Sequence, residues 1–165
     1  MNTKQDSLME LEEDTQKGKY LTFNLGKEVF GIEIRYVTEI IGIQPISAVP
    51  EVPDYVKGII NLRGKIIPLI DVRLKFKKEA VDYNDRTCII VIDIDNISVG
   101  LIVDQVAEVL NIEDEDIVPP PEYRTGFQNK YIKSIGRVEE SVKLILDCNK
   151  LLSEDEMEMV EQAVQ

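Results

Sequence analysis

Histidine and tryptophan are absent from this 165-residue chain, and cysteine occurs only twice. Without histidine the chain lacks the commonest general base and the commonest metal ligand, and it cannot run a phosphohistidine relay. Cys88 and Cys148 lie in apolar segments, which is typical of small buried side chains and not of a disulfide framework or a metal site. The sequence therefore predicts no cofactor, and the case for an enzyme is weak.

Positive charge is scarce: 19 Lys and Arg side chains face 31 Asp and Glu, for a net charge of −12. This balance disfavours nucleic acid and anionic membranes as partners, because both bind through basic surfaces. No apolar run reaches the ~18 residues of a membrane span, and the acidic N-terminus lacks the apolar core of a signal peptide. We expect a cytoplasmic protein with a disordered tail over residues 1–17.

The chain contains an internal repeat, which indicates a duplicated structural unit. Three blocks recur in the same order, and Gly31 falls on Gly100 in the first of them. The aligned blocks are Leu21–Ile41 with Ile90–Leu110, Pro53–Gly58 with Pro121–Gly126, and Leu69–Val72 with Ile145–Cys148. We predict two β-rich units, one over about residues 18–80 and one over about residues 86–148.

Each unit begins with a predicted β-hairpin. Apolar residues alternate along Leu21–Leu25, and Gly26-Lys27 suits a type II′ turn. A second hairpin is predicted around Arg63-Gly64 and its match around Glu139-Glu140, and Pro68 indicates an edge strand or a bulge. Many short strands predict all-β barrels or sandwiches.

A helix is predicted over residues 153–165, after the last strand. Ser153 and Glu156 form a capping box, and Met157, Val160 and Val164 share one face.

Most polar motifs in the chain have ordinary structural explanations. Gly58–Ile66 misses the phosphate-loop spacing and surrounds a hairpin. Asp93 and Asp95 lack the further ligands of a calcium loop, and Glu113–Asp116 is an acidic run typical of solvated surface. Asp71 with Arg73 is interpreted as an ion pair or a cap at the end of a strand.

Two features favour a protein-binding module. Arg63 at a hairpin tip is either a simple solubilising residue or a binding anchor, and the sequence supports both interpretations about equally. The strands Ile66–Ile70 and Ile89–Ile92 carry apolar side chains on both faces, so some apolar surface needs cover from elsewhere. Two alternatives stay open: a small enzyme that uses carboxylates or Lys65, and an oligonucleotide-binding barrel, which the charge opposes.

The stretch Gly58–Arg73 closely resembles the signature of CheW-type chemotaxis coupling proteins. Gly31–Ile40 and Gly100–Val106 match the same family, and the resemblance covers about residues 19–152. It implies a CheW-like domain over residues 18–152 built as two SH3-like five-stranded β-barrels, with no enzymatic activity.

The resemblance also implies partners. They are the regulatory domain of the histidine kinase CheA, docked barrel to barrel, and the helical cytoplasmic tip of methyl-accepting chemotaxis receptors, docked in a groove between the barrels. Recruitment to receptor arrays at the inner face of the membrane would follow. The family's partner-binding positions correspond here to Val37, Glu39, Gly58, Arg63, Ile66, Cys88 and Val109.

Overall fold

A computed structural model describes residues 16–120 and 130–163. The predicted disordered tail over 1–17 lies almost wholly outside these residues, as do Pro121–Gly126 and Val164. Eleven strands and two helices make up the described regular structure, apart from short 3₁₀ turns. They are β1 (Lys19–Leu25), β2 (Glu28–Glu33), β3 (Val37–Gly42), β4 (Val56–Leu62), β5 (Lys65–Asp71), α1 (Val72–Lys75), β6 (Cys88–Ile94), β7 (Ile97–Val103), β8 (Gln105–Asn111), β9 (Ile117–Val118), β10 (Ile132–Val138), β11 (Ser141–Leu146) and α2 (Glu154–Ala163).

The strands form two sheets, which confirms the predicted all-β class with a C-terminal helix. One sheet has six strands in the order β8-β1-β2-β11-β10-β9, and the other has five in the order β3-β6-β7-β5-β4. Each sheet therefore combines the first hairpin of one half of the chain with the later strands of the other half. The sixth strand, β9, has only two residues and pairs with β10 at Ile135. A single bridge between Ser47 and Ile59 occupies the related place beside β4.

The register of the strands repeats between the sheets, as a duplicated chain should. Leu21 pairs with Val109 in one sheet, and Ile90 pairs with Ile40 in the other. Both pairings carry a bulge at the same place, and the parallel contacts that join the halves also correspond. The predicted unit boundaries, 18–80 and 86–148, stay a prediction about domains, because the described sheets are shared between the two halves.

One block of the repeat alignment was wrong. The carbonyl of Tyr55 accepts the amide of Asp71 at 2.7 Å, and the carbonyl of Tyr131 accepts the amide of Asp147 at 2.8 Å. The counterpart of Tyr55 is thus Tyr131 and not Tyr123. The insertion in the second half comes before this block and not after it, which local similarity between two Pro-x-Tyr-x-x-Gly stretches concealed.

Two apolar cores hold the sheets. The larger one lies between them and contains the aromatic chain Phe23, Phe30, Phe76 and Tyr131, whose neighbouring ring centroids are 5.3–5.9 Å apart. The smaller one is formed by buried side chains of the five-stranded sheet, namely Ile60, Ile67, Leu69, Ile89, Val91 and Ile102. Ile89 to Ile92 are all buried, so β6 is covered on both faces as the sequence indicated.

The turns follow the sequence closely. Gly26 has φ +61, as the first position of a type II′ turn requires, and Arg63-Gly64 has φ +52 and +89 at the tip of β4–β5. Pro68, however, lies on β5, which is not an edge strand. Pairing of β5 with β7 starts only at Leu69, so no backbone N–H is needed at Pro68 for hydrogen bonding to that strand.

The C-terminal helix α2 begins as predicted. The Ser153 hydroxyl accepts the amide of Glu156 at 3.1 Å, and the Glu156 carboxylate accepts the amide of Ser153 at 3.1 Å. Val160 is fully buried against the larger core, and Met157 packs beside it. This short helix is fixed by its packing, since an isolated helix of one to three turns is marginal in water.

Candidate binding surfaces

Four aliphatic side chains are exposed at corresponding positions of the two sheets. Ile40 on β3 is 43% exposed and Val109 on β8 is 53% exposed, and these two strands pair in the same register with β6 and β1. Ile66 on β5 and Val142 on β11 form the second such pair, at 38% and 57%. Apolar strand surface is therefore exposed on both halves of the molecule. Of the two stretches predicted to supply it, Ile66–Ile70 and Ile89–Ile92, only Ile66 is exposed, because the two cores bury the others.

An ion pair joins two elements of the five-stranded sheet that are far apart in strand order. Arg63, at the tip of β4–β5, donates to the carboxylate of Glu39 on β3. The Arg63 side chain remains 69% exposed. Its counterpart in the other sheet is Glu139, which has the same left-handed backbone at φ +55. The two turn tips carry opposite charges, and they differ at the next position, where Gly64 has a positive φ and Glu140 does not.

Gly58 is buried and does not present a side-chain surface. Its φ is +146, and an added Cβ would stand 2.1 Å from the carbonyl oxygen of Ser47. Ser47 and Ile59 exchange backbone hydrogen bonds of 3.0 and 2.8 Å beside it. Gly58 therefore permits the close crossing that positions β4, and any effect on a partner passes through that backbone.

The remaining predicted residues lie apart from one another. Val37 and Cys88 are half-buried and pack against the larger core, near opposite ends of the pairing between β3 and β6. Six of the seven predicted residues belong to the five-stranded sheet, and Val109 alone belongs to the six-stranded sheet. The structure brings Glu39 and Arg63 into direct contact, whereas Val109 lies on a separate sheet.

Ile40 and Val142 complete these surfaces and were missed by the sequence interpretation. The repeat alignment already placed Ile40 on Val109, so that signal was available for the first of them. Val142 follows Ser141 just after a turn, and its exposure depends on what covers the outer face of β11. No local pattern contains that information.

The motifs with ordinary explanations behave as interpreted. Asp71 caps α1 by accepting the amide of Leu74 at 3.3 Å and also accepts the Tyr83 hydroxyl at 2.7 Å. Arg73 makes a two-pronged contact with Asp104, at 2.7 and 2.6 Å, and not with Asp71. This hydrogen bonding raises the pKa of Arg73.

Lys65 is part of a chain of side-chain hydrogen bonds, and this arrangement does not favour a catalytic role. Its ammonium donates to Ser98 Oγ at 2.6 Å, and Ser98 donates to Asp93 at 2.6 Å. Across the described ranges, no group of three or more Cys, Asp or Glu side chains is arranged to hold a metal ion. Burial raises the pKa of the Cys148 thiol to about 12, which leaves it a poor nucleophile.

Lys75 is a buried charged side chain with a strongly lowered pKa. It is buried at the end of α1, with its ammonium 4.2 Å from the ring centroid of Tyr55 and 5.5 Å from that of Tyr131. Glu156 of α2 accepts from both Lys75 and the Tyr55 hydroxyl. Burial, together with Lys130 and Lys77, lowers the pKa of Lys75 to about 8. Through these contacts Glu156 holds α2, which belongs to the second half of the chain, against Lys75 and Tyr55 of the first half.

Comparison with known proteins agrees with this architecture. A family model described as the CheW-like domain matches residues 19–156. The chain is 37% identical to the chemotaxis protein CheW of Klebsiella aerogenes over 155 residues, which cover 94% of this chain and 93% of the relative. It is 34% identical to the chemotaxis protein CheW of Treponema pallidum, with 84% of each covered. The crystal structure of the scaffolding protein TtCheW from Thermoanaerobacter tengcongensis is similar with a TM-score of 0.78 and 33% identity, over 84% of this chain and 94% of that one.

A paired-sheet β fold with these relatives defines a non-enzymatic scaffold of chemotaxis signalling. The chain belongs to the CheW-like domain family. Within the part of the chain that the structure describes, neither helix has the length and apolar character needed to cross a bilayer.

Proposed function

We propose that this protein couples methyl-accepting chemotaxis receptors to the histidine kinase CheA by binding both at once. The observation that carries the proposal is the doubling of exposed apolar strand surface: Ile40 and Ile66 on one sheet, Val109 and Val142 on the other. A coupling protein needs two separate contact surfaces. An internal duplication supplies two of similar shape, and the opposite charges of Arg63 and Glu139 make them different.

The CheA regulatory domain would dock through the five-stranded sheet, barrel to barrel. This sheet exposes the apolar Ile40 and Ile66 and also carries the ion pair of Glu39 and Arg63, and protein interfaces combine an apolar centre with a polar rim. Val37 and Cys88 would support this surface from the half-buried layer beneath it. Gly58 would hold β4 in the position that the surface requires.

The receptor tip would dock in a groove between the sheets, as an amphipathic helix against apolar side chains. Val109 belongs to this second surface, because it lies on the six-stranded sheet. Simultaneous binding of both partners would recruit the protein from the cytoplasm to receptor arrays at the inner face of the membrane.

Titration of the labelled protein with the CheA regulatory domain and, separately, with a receptor-tip fragment tests the proposal. We expect saturable binding of each, and a ternary complex when both are present. Absence of binding to both partners would overturn the proposal. Mutually exclusive binding would refute simultaneous coupling while leaving each single contact intact.

Matched variants on the two sheets test the assignment of surfaces. Ile40→Glu should weaken the CheA complex more than the receptor complex, and Val109→Glu should do the reverse. Both residues are exposed at corresponding positions, so the two variants carry similar folding risks. Equal effects of both variants on both partners would contradict the assignment.

A further inference from the structure

The two sheets differ on the face that points away from the larger core. In the five-stranded sheet this face is closed by two cross-strand pairs of isoleucines. The register of the duplication identifies what stands in their place in the six-stranded sheet. The pairs Ile89–Ile102 and Ile60–Ile67 correspond to Tyr20–Glu33 and Gly136–Lys143. Four aliphatic side chains that seal one half of the molecule are thus replaced by polar residues or by glycine in the other half.

The six-stranded sheet has a cavity of about 670 Å³, which we term the Tyr20 pocket, and its lining includes Tyr20 and Glu33 from these four positions. Its lining includes the apolar side chains of Ile117 and Ile145 and the polar ones of Tyr20, Glu33 and Ser134. The volume lies within the range of about 300–1,000 Å³ that small-molecule sites occupy. A lining that combines apolar and polar side chains is also typical of such sites.

The Tyr20 pocket is locally basic, although the chain as a whole carries −12. The lining has four cationic and two anionic side chains, which are Lys17, Lys19, Arg35 and Lys133 against Glu33 and Asp114. Such an excess concentrates anions at the pocket, because the local potential and not the net charge acts at short range.

Glu33 organises the cations of this pocket. Its carboxylate accepts Nε of Arg35 at 2.9 Å and Nζ of Lys133 at 2.7 Å. This hydrogen bond raises the pKa of Lys133, so its charge is retained over the whole physiological range. Arg35 and Lys133 remain 57% and 48% exposed, and their unused donors are open to a second anion at the rim.

We propose that the Tyr20 pocket binds a small carboxylate that carries an apolar body, with the anionic group at Arg35 and Lys133 and the body against Ile117 and Ile145. Tyr20 and Ser134 also line the pocket and could supply hydroxyl groups to the ligand. This site is separate from the partner surfaces proposed above, and the proposal does not depend on them.

Benzoate is a suitable probe, and benzamide is its neutral control of nearly the same shape. In titrations followed by amide chemical shifts, we expect saturable benzoate binding at millimolar concentration with shifts at Ser134 and Ile145. Their counterparts in the closed sheet, Gly58 and Leu69, should not respond. Benzamide should bind far more weakly, because it cannot pair with the cations.

A matched pair of variants tests the role of the cation. Lys57 is the register counterpart of Lys133 and is exposed on the other sheet, away from the pocket. Lys133→Gln should raise the dissociation constant of benzoate about tenfold, the effect of losing one charge-assisted hydrogen bond. Lys57→Gln should leave it unchanged. Absence of saturable benzoate binding, equal binding of benzamide, or equal effects of the two variants would overturn the proposal.

Discussion

Gly100 on β7 lies directly against Leu69 of the parallel strand β5, and a Cβ added to Gly100 would stand 2.4 Å from Cδ2 of Leu69. The same relationship exists between Gly31 on β2 and Ile145 on β11, at 3.0 Å. At these two places the halves of the chain join through parallel strands. The duplication therefore retains a glycine at both parallel junctions of the halves, since a side chain there would push the strands apart.

Alanine at these glycines should destabilise the fold unequally. Gly100→Ala forces a methyl group between Leu69 and Ile89, both fully buried, and we expect a loss of about 2–3 kcal/mol of unfolding free energy. Gly31→Ala meets only the end of Ile145 and should cost about 1 kcal/mol or less. Urea denaturation of both variants measures the difference. Equal losses would show that the two junctions are packed alike.

Substitution at Gly58 should act through the fold and not through a lost contact. Gly58→Ala places its Cβ against the carbonyl of Ser47, where backbone must move, and it also strains the backbone at φ +146. We expect a loss of about 2–4 kcal/mol of unfolding free energy and a lower midpoint in thermal denaturation. Weaker partner binding should then be accompanied by lost protection of the Ile59 amide from hydrogen exchange. Weakened binding with unchanged exchange would instead identify Gly58 as a direct contact.

The strands of this fold were predictable, but their partners were not. Alternation from Leu21 to Leu25 and the turn at Gly26 define the first hairpin by local chemistry alone. Which half supplies the next strand is different, because a duplicated chain offers Ile40 and Val109 as equivalent neighbours for β1 and β6. The choice of the opposite half depends on the connections between strands and on the core that both sheets bury, and neither is a local property.

The candidate surfaces were partly predictable for the same reason. Arg63 was recognised by its place at a turn between two apolar strands, and the ion pair with Glu39 required the sheet to curve until β3 and β4 approach. The exposure of Ile40 depends on which face of β3 the other sheet covers. The Tyr20 pocket was not predictable from the sequence, because only the pairing of β2 with β11 brings Ser134 and Ile145 of the other half to Tyr20 and Glu33.

Charge reversal at Arg63 should affect binding and leave stability almost unchanged. The side chain is largely exposed, and exposed ion pairs contribute at most about 1 kcal/mol. Arg63→Glu places two carboxylates together at Glu39, so we expect at least one of the CheA and receptor complexes to weaken by about tenfold or more. The control is Glu139→Lys, which reverses the charge at the corresponding turn of the other sheet and leaves the ion pair of Arg63 and Glu39 intact. Unchanged affinity for both partners would reject Arg63 as an anchor.

Lys75 should make a contribution to the stability of the protein that rises with pH in alkaline solution. Its pKa falls from an ordinary 10.5 to about 8 in the folded protein, because burial, Lys130 and Lys77 disfavour the charged form more than Glu156 supports it. Below pH 8 the side chain is charged in both states and the folded state bears the full cost. Between pH 8 and 10.5 the Lys75 side chain binds more protons in the unfolded chain, so the contribution of Lys75 to stability increases with pH. Relative to Lys75→Met, the wild-type protein should gain about 1–3 kcal/mol over this interval, as measured by urea denaturation at successive pH values. A difference that is constant with pH would show that pairing with Glu156 balances burial, and a relative loss for the wild-type protein would show that pairing outweighs burial.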